Sequence, residues 1–189
     1  MTQLPVSERS DVFNDNLIYE GTVPLTCQHL DNMPDDDALT QININNEKVL
    51  RMVAALDEMH IDTHEEPGHT HDIARLEFKI NMLMDLVGQL LERQLQLPSR
   101  RHVCVNAYGM QVAMPEQDTI ESGQLIKVSL FFTEAYPRPV VLFVSISSSS
   151  PHTVSGQVMA LSEAVQDLLE RLIFRQHRRN VAQQRVSKS

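Results

Sequence analysis

A seven-residue repeat of apolar side chains between residues 73 and 97 constrains the fold of this chain more than any other feature. Its seam positions alternate at spacings of three and four, and seven of the eight are apolar. The apolar seam residues are Ile73, Leu76, Ile80, Leu83, Val87, Leu90 and Leu97, with Gln94 as the polar exception. A period of about 3.5 residues keeps one stripe turned towards a partner helix, and it is typical of a left-handed coiled coil.

The same repeat could also belong to an amphipathic helix that lies on its own domain. Six apolar residues outside the seam argue for self-association, because such a helix needs neighbours on several faces: Phe78, Met82, Met84, Leu86, Leu91 and Leu95. If Ile73 is an a residue, the β-branched and Leu positions favour a dimer, whereas the extra apolar flanks favour a higher order. We expect a homo-oligomer, and specifically a tetramer.

The residues before this repeat predict a strand, a loop and a first helix. Two short β-prone runs, 17–19 and 23–27, are interrupted by Gly21 and Pro24 and predict an edge strand. The acidic stretch 31–37 predicts a solvated loop. A helix with an apolar face should follow, and its face consists of Val49, Met52, Leu56 and Met59. The heptad helix should then begin near Asp72 and end at Pro98.

The residues after Pro98 change from a helical to a strand period. Runs 102–113, 125–132 and 140–147 predict strands, the first divided at Tyr108 and Gly109, and the polar stretch 147–151 predicts a turn or loop. Helical spacing returns at Leu161, Val165, Leu168, Leu169, Leu172 and Ile173. The sequence therefore predicts an α+β protein with four segments: 1–30, 31–98, 99–160 and a C-terminal helix with a basic tail, 161–189.

Composition and motifs exclude several classes of protein. A net charge of -9 opposes general nucleic-acid binding, and we expect no DNA partner. Cys27 and Cys104 are too few for a disulfide framework, the N-terminus lacks a signal-peptide pattern, and no apolar stretch reaches the ~20 residues that a bilayer requires. We expect a cytoplasmic protein without a membrane span. A P-loop and a GxSxG motif are both missing, so we do not expect an enzyme.

A histidine-rich segment is a candidate metal site. Its imidazoles suit a transition metal, and they belong to His60, His64, His69 and His71. Neighbouring acids and the breaking pair Pro67 and Gly68 make a solvated hinge between helices the better interpretation, so we expect no metal.

Residues 103–112 and 123–130 resemble the central strands of a PilZ domain, where a turn ending in glycine joins two strands and a second glycine precedes the next. Two heptad-bearing helices inside the strand order and a final helix over residues 169–179 resemble the atypical, tetrameric subgroup of that family. The resemblance implies an antiparallel β-barrel interrupted by two long helices, with a C-terminal helix. It also implies a cyclic di-GMP-responsive effector or adaptor without a cofactor. Such a protein oligomerises through a coiled coil and signals through protein partners. The alternative is a structural coiled-coil oligomer whose barrel contacts protein partners.

The family's ligand motifs are only partly present in this sequence. If Gly109 is the motif glycine, Asn106 stands where serine is expected and Cys104 where Asp or Asn is expected. Half of the RxxxR motif remains at Arg9, because Phe13 occupies the second position. The candidate ligand residues are Arg9, Arg100, Arg101, Asn106, Gly109, Arg175 and Arg179.

Arg175 and Arg179 have two interpretations. Two arginines one helical turn apart suit a dianionic dinucleotide. Together with Arg178, they could instead form a structural patch that pairs with acids from residues 31–72, and the sequence slightly favours this second role.

Overall fold

A computed structural model describes residues 13, 17–59, 79–80, 82–83, 97–115 and 120–186, with backbone alone at 58–59 and 180–186. Within these residues, six antiparallel strands close into a barrel and two helices pack on it. The elements are β1 (Tyr19–Leu30), α1 (Asp36–Met59), β2 (Arg100–Val105), β3 (Gly109–Ala113), β4 (Leu125–Leu130), β5 (Val140–Ser150), β6 (Thr153–Met159) and α2 (Glu163–Val186). Around the barrel the order is β1-β2-β3-β6-β5-β4. The predicted α+β class with an antiparallel β-barrel and a C-terminal helix is confirmed.

Strand β1 closes the barrel, so the prediction of an edge strand is wrong. Residues 19–24 pair with β2, and residues 25–30 pair with β4. Pro24, which has no backbone N–H, lies where β1 changes partner and therefore costs the ladder little. The first half of β1 is therefore bonded to β2 and the second half to β4, so β1 links these two strands and closes the barrel.

The barrel interior is filled by aliphatic side chains. In β4, Ile126, Val128 and Leu130 are buried, and the residues between them are only half-buried. This alternation follows from the period of two in a strand, which turns every second side chain inwards. The other strands contribute Val23, Leu25, Val103, Val105, Met110, Val112, Val140, Leu142, Val144, Ile146 and Val154 to the same core.

Both helices bury one face against the barrel and each other. Helix α1 contacts α2 and β5, and α2 contacts β1. The predicted apolar spacing of α2 is confirmed by the burial of Val165, Leu169, Leu172 and Ile173. In α1 the buried apolar residues are Val49, Leu50 and Val53. Of the predicted apolar face, Met52 and Leu56 are half-buried, and the side chain of Met59 lies outside the described residues.

Helix α1 begins within the stretch predicted to be a loop. The Oδ1 atom of Asp35 accepts a hydrogen bond from the N–H of Ala38 at 2.8 Å, which is the geometry of an N-cap. Asp36 and Asp37 then lie in the first turn, where the helix dipole favours negative charge. The acidic run therefore starts the helix instead of merely preceding it.

The end of the barrel differs from the sequence prediction. Strand β5 continues to Ser150, and β6 pairs with it, so the predicted loop at 147–151 is wrong and β6 was not predicted. Gly156 lies in the middle of β6, where an added Cβ would come within 2.2 Å of the Ser145 carbonyl oxygen. Since the two backbones approach this closely, β6 needs a glycine at this position.

The heptad region is only partly described. Ile80 and Leu83 are helical, with 46% and 61% of their surfaces exposed, and Leu97 is half-buried just before β2. The other seam residues, Ile73, Leu76, Val87 and Leu90, lie outside the described residues, as does the histidine segment 60–71. Assembly through this region stays a prediction. Among the described segments, no helix combines the length and apolar character needed to cross a bilayer.

Candidate functional site

An open cleft of about 630 Å³ lies between α2 and the turn that joins β2 to β3. Its lining combines arginines, carboxylates and exposed aromatic rings. The residues are Leu17, Asn106, Tyr108, Asp167, Glu170, Arg171, Ile173, Phe174, Arg175 and Arg178.

Asn106 holds the turn at the base of this cleft. Its Oδ1 atom accepts hydrogen bonds from the N–H groups of Tyr108 at 2.9 Å and Gly109 at 2.8 Å. Its Nδ2 atom donates to the carbonyl of Phe13 at 3.1 Å. Asparagine suits this position because its side chain can bond to the backbone two residues on and so replace a backbone turn.

The two predicted ligand residues of the turn therefore have structural partners. Asn106 is 1% exposed, and its side-chain oxygen already accepts two bonds. Gly109 exchanges backbone and side-chain bonds with it, including one from the Asn106 N–H to the Gly109 carbonyl at 2.9 Å. Asn106 shapes the turn that presents Tyr108, instead of offering a free amide to a ligand.

Three large apolar side chains remain exposed at the cleft. Phe174 is 52% exposed, Leu17 46% and Tyr108 41%. A ring at the tip of a turn and a ring on the facing helix provide flat surfaces on which a planar ligand could stack. Sequence reasoning did not single out Tyr108 or Phe174 for ligand binding, since their distance along the chain hides that they share a cleft.

The cleft carries a small positive excess, because its three arginines outnumber Asp167 and Glu170 by one. Arg171 and Arg178 are exposed, and they share a helix face with Phe174 at spacings of three and four. These three residues form an exposed stripe on α2 beside its buried apolar face. Their spacing is visible in the sequence and could have identified the cleft. The sequence did place Arg178 in a basic patch with Arg175.

Arg175 and Arg179 both reach α1. Arg175 lines the cleft, and its Nη1 atom donates to the Ala54 carbonyl at 3.2 Å. Arg179 donates to Asp57 twice, from Nη1 to Oδ1 at 3.1 Å and from Nη2 to the carbonyl at 3.3 Å. Asp57 lies in the last turn of α1, where carbonyls lack helical partners and the helix dipole favours cations, so Arg179 satisfies one carbonyl at the end of the helix. The ion pair between Arg179 and Asp57 agrees with the structural interpretation, in which these arginines pair with acids from residues 31–72.

The remaining predicted arginines lie away from the cleft. Arg100 and Arg101 occupy the opposite end of β2 from Asn106, a separation of roughly 17 to 20 Å along a strand. Arg100 pairs with Glu134, and the Nη1 atom of Arg101 lies 3.7 Å from the Met114 sulfur. Arg9 lies outside the described residues.

Tyr19 begins β1 and packs edge-on against Phe132, with ring centroids 5.1 Å apart. Burial raises the pKa of Tyr19, the charge of Asp57 raises it further, and Arg100 opposes both. Its phenol therefore stays neutral at physiological pH and adds no charge beside α1.

The chain is similar to known proteins in its sequence and in its fold. A family model described as an atypical PilZ domain, cyclic di-GMP receptor, matches residues 50–186. No curated protein gives a significant match. A solved structure from Xanthomonas campestris is similar, with a TM-score of 0.74 and 22% identity over 91% of this chain and 94% of that chain. That protein is described as a tetrameric PilZ domain that self-assembles through an unusual helical bundle. At this identity the likeness shows the fold.

Proposed function

This chain belongs to the atypical PilZ family, and on that premise we propose that it is a cyclic di-GMP-responsive effector or adaptor that binds its ligand in the cleft. The single observation that carries the proposal is the meeting of two exposed rings and three arginines in that cleft. The family model describes a receptor, and we assign the chain no catalytic role. We further propose that it acts in the cytoplasm, where both free cysteines stay reduced.

The chemistry of the cleft suits the parts of the ligand. Arginine forks bind phosphate oxygens, and each exposed arginine can take one phosphate of the dinucleotide. Tyr108 and Phe174 can stack on guanine faces. Asp167 and Glu170 can accept hydrogen bonds from the N–H groups along a guanine edge.

Affinity should be low compared with family members that carry intact motifs. Cys104 is a poor acceptor at a position where the motif expects Asp or Asn. The amide oxygen of Asn106 is committed to the turn. Losing one charge-assisted contact costs about 1.5 to 3 kcal/mol.

Calorimetric titration of the purified full chain with cyclic di-GMP tests the site. Arg171→Ala removes one charge-assisted contact and should weaken binding about tenfold to hundredfold. Phe174→Ala should also weaken binding, because it removes a stacking face. Arg138→Ala is the matched control, since Arg138 is an exposed arginine in the loop between β4 and β5. It should bind like the unaltered protein.

Absence of heat and of a thermal shift at high cyclic di-GMP concentration would contradict the proposal. Equal losses in Arg138→Ala and Arg171→Ala would also contradict it, because they would indicate general charge attraction without a defined site.

A structural oligomer is the second candidate function. Its supporting observation is the exposure of Ile80, Met82 and Leu83, at 46%, 52% and 61%, along helical stretches of the heptad region. We propose that residues 72–98 pair with copies of themselves to form a homotetramer, as the helical bundle of the Xanthomonas protein is described to do. In this alternative the barrel contacts a protein partner, and cyclic di-GMP plays no direct part. Both candidates assemble through the coiled coil, so ligand titration separates them, and mass in solution tests the assembly that they share.

A further inference from the structure

Three metal-ligating side chains meet on the outer face of the barrel, in a place unrelated to the predicted histidine segment. Glu20, His102 and Cys104 each offer one ligand atom, and these atoms all lie within 4.8 Å of one another. Glu20 belongs to β1, and the other two belong to β2.

The pairing of β1 with β2 brings these three residues together. Glu20 lies directly opposite Cys104, and His102 lies opposite Thr22. His102 and Cys104 are two residues apart, so they share the face opposite to that of Val103, which points into the core. Cross-strand neighbours and residues at a spacing of two approach each other closely enough to share one ion.

The geometry is close to that of a tetrahedral zinc site. Bonds of 2.0 to 2.3 Å from zinc to nitrogen, oxygen and sulfur place neighbouring ligand atoms about 3.4 Å apart. The Nε2 atom of His102 lies 3.5 Å from Oε1 of Glu20, which already matches one edge of such a tetrahedron. Because no separation exceeds 4.8 Å, small rotamer adjustments would bring the three atoms to bonding positions.

Burial differs across the cluster in a way that suits a site with one open position. Cys104 is 6% exposed, and the side chains of His102 and Glu20 are 27% and 44% exposed. The sulfur therefore lies deep and the carboxylate lies at the solvent edge. Three protein ligands leave the fourth position of zinc to water or to another ligand.

We propose that Glu20, His102 and Cys104 form a zinc-binding site on the outer face of the β1–β2 ladder. A thiolate and a carboxylate together neutralise the charge of the divalent ion, and imidazole completes a donor set that zinc prefers. Sequence reasoning considered only the histidine segment as a metal site. It could not find this cluster, because Glu20 meets the His102 and Cys104 pair only through strand pairing.

The site adjoins the proposed ligand cleft. Cys104 lies two residues before Asn106, which holds the cleft turn. The Nε2 atom of Gln176 in α2 donates to the Glu20 carbonyl at 3.1 Å, so the helix that forms the other wall of the cleft is also bonded to this strand. An ion here would therefore tie together the strands that support the cleft.

Cobalt titration of the metal-free full chain tests the site, because a thiolate bound to Co²⁺ gives a near-ultraviolet charge-transfer band. We expect one Co²⁺ per chain, with this band displaced by zinc. Cys104→Ser should abolish the band, whereas Cys27→Ser, its matched control in β1, should leave it unchanged. His102→Gln should weaken zinc binding by at least about tenfold, and His29→Gln should not.

Circular dichroism of the metal-free variants shows whether each one folds. If Cys104→Ser does not fold, the affinity of His102→Gln relative to His29→Gln decides the question. Cobalt binding without a thiolate band would place the ion on other residues and overturn the proposal. A band lost in Cys27→Ser, or no cobalt binding by the folded protein, would also overturn it.

Discussion

At the scale of single residues, buried asparagines do structural work that the sequence does not announce. Asn46 of α1 is 1% exposed and bonds to β5 twice. Its Nδ2 atom donates to the Val141 carbonyl at 2.8 Å, and its Oδ1 atom accepts from the Val141 N–H at 2.8 Å. The side-chain amide therefore replaces a neighbouring strand at the start of β5, before pairing with β6 begins at Phe143.

Asn46→Ala should destabilise the protein by about 1 to 3 kcal/mol, because it leaves the N–H and the carbonyl of half-buried Val141 without their partner. Denaturant unfolding followed by circular dichroism measures this loss. Asn45→Ala is the matched control, since Asn45 is exposed on the same helix, and its effect should stay within about 0.5 kcal/mol. Equal stability of the two variants would contradict the role assigned to Asn46.

The roles of single residues were the hardest feature of this protein to predict from its sequence. Asn106 was chosen for its place in a turn motif, and that place is real, but its hydrogen-bonding groups hold the turn itself. Asn46 lies in the stretch before the predicted apolar face of the first helix, and nothing local marks it as buried. Val141, the partner of Asn46, is 95 residues further along the chain, so the sequence shows the polar group without showing what satisfies it. For Asn106 only the Phe13 carbonyl is distant, and the two N–H groups that occupy its Oδ1 atom are local.

At the scale of elements, the sequence predicted the features that local periodicity determines. It missed those that depend on pairing between strands distant along the chain. The spacing of Val165, Leu169 and Ile173 gives α2 its buried face directly. Strand β6 was missed because Gly156 interrupts its apolar pattern, and only the approach of β5 requires a glycine there. The edge-strand prediction for β1 failed for the same reason, since barrel closure is decided by β4, about a hundred residues further along the chain.

The contact between α1 and α2 gives an element-scale prediction. The double variant Arg175→Ala, Arg179→Ala should lose about 1 to 2 kcal/mol, because the Arg179 to Asp57 pair is partly exposed and Arg175 donates to a half-buried carbonyl. For a chain of this length, the melting temperature should fall by about 2 to 8 °C.

Arg178→Ala is the control for this double variant. Arg178 lines the cleft and is exposed, so its removal should weaken cyclic di-GMP binding and leave the melting temperature almost unchanged. An unchanged melting temperature with lost ligand binding in the double variant would show that the structural role assigned to Arg175 and Arg179 is wrong.

At the scale of the whole molecule, the barrel and its helices followed from a family resemblance supported by element order. Local patterns alone gave an α+β class but not the closed strand order. The heptad repeat is different, because a single chain leaves Ile80 and Leu83 about half or more exposed. Seam residues that are exposed in one chain, as these two are, predict contacts between chains.

Leu83→Asp should dissociate the homo-oligomer. Burying a leucine contributes roughly 2 kcal/mol, so seam residues repeated in several chains outweigh the entropy cost of association, whereas a charge in every seam reverses that balance. Light scattering at micromolar concentration should give four times the 21.5 kDa chain mass for the unaltered protein. It should give the mass of one chain for the variant. Asn81→Asp adds a charge next to the seam residue Ile80 but outside the seam, and this control should stay assembled. A monomeric unaltered protein would end the assembly proposal, and an unassembled Asn81→Asp control would mean that added negative charge alone disrupts the oligomer.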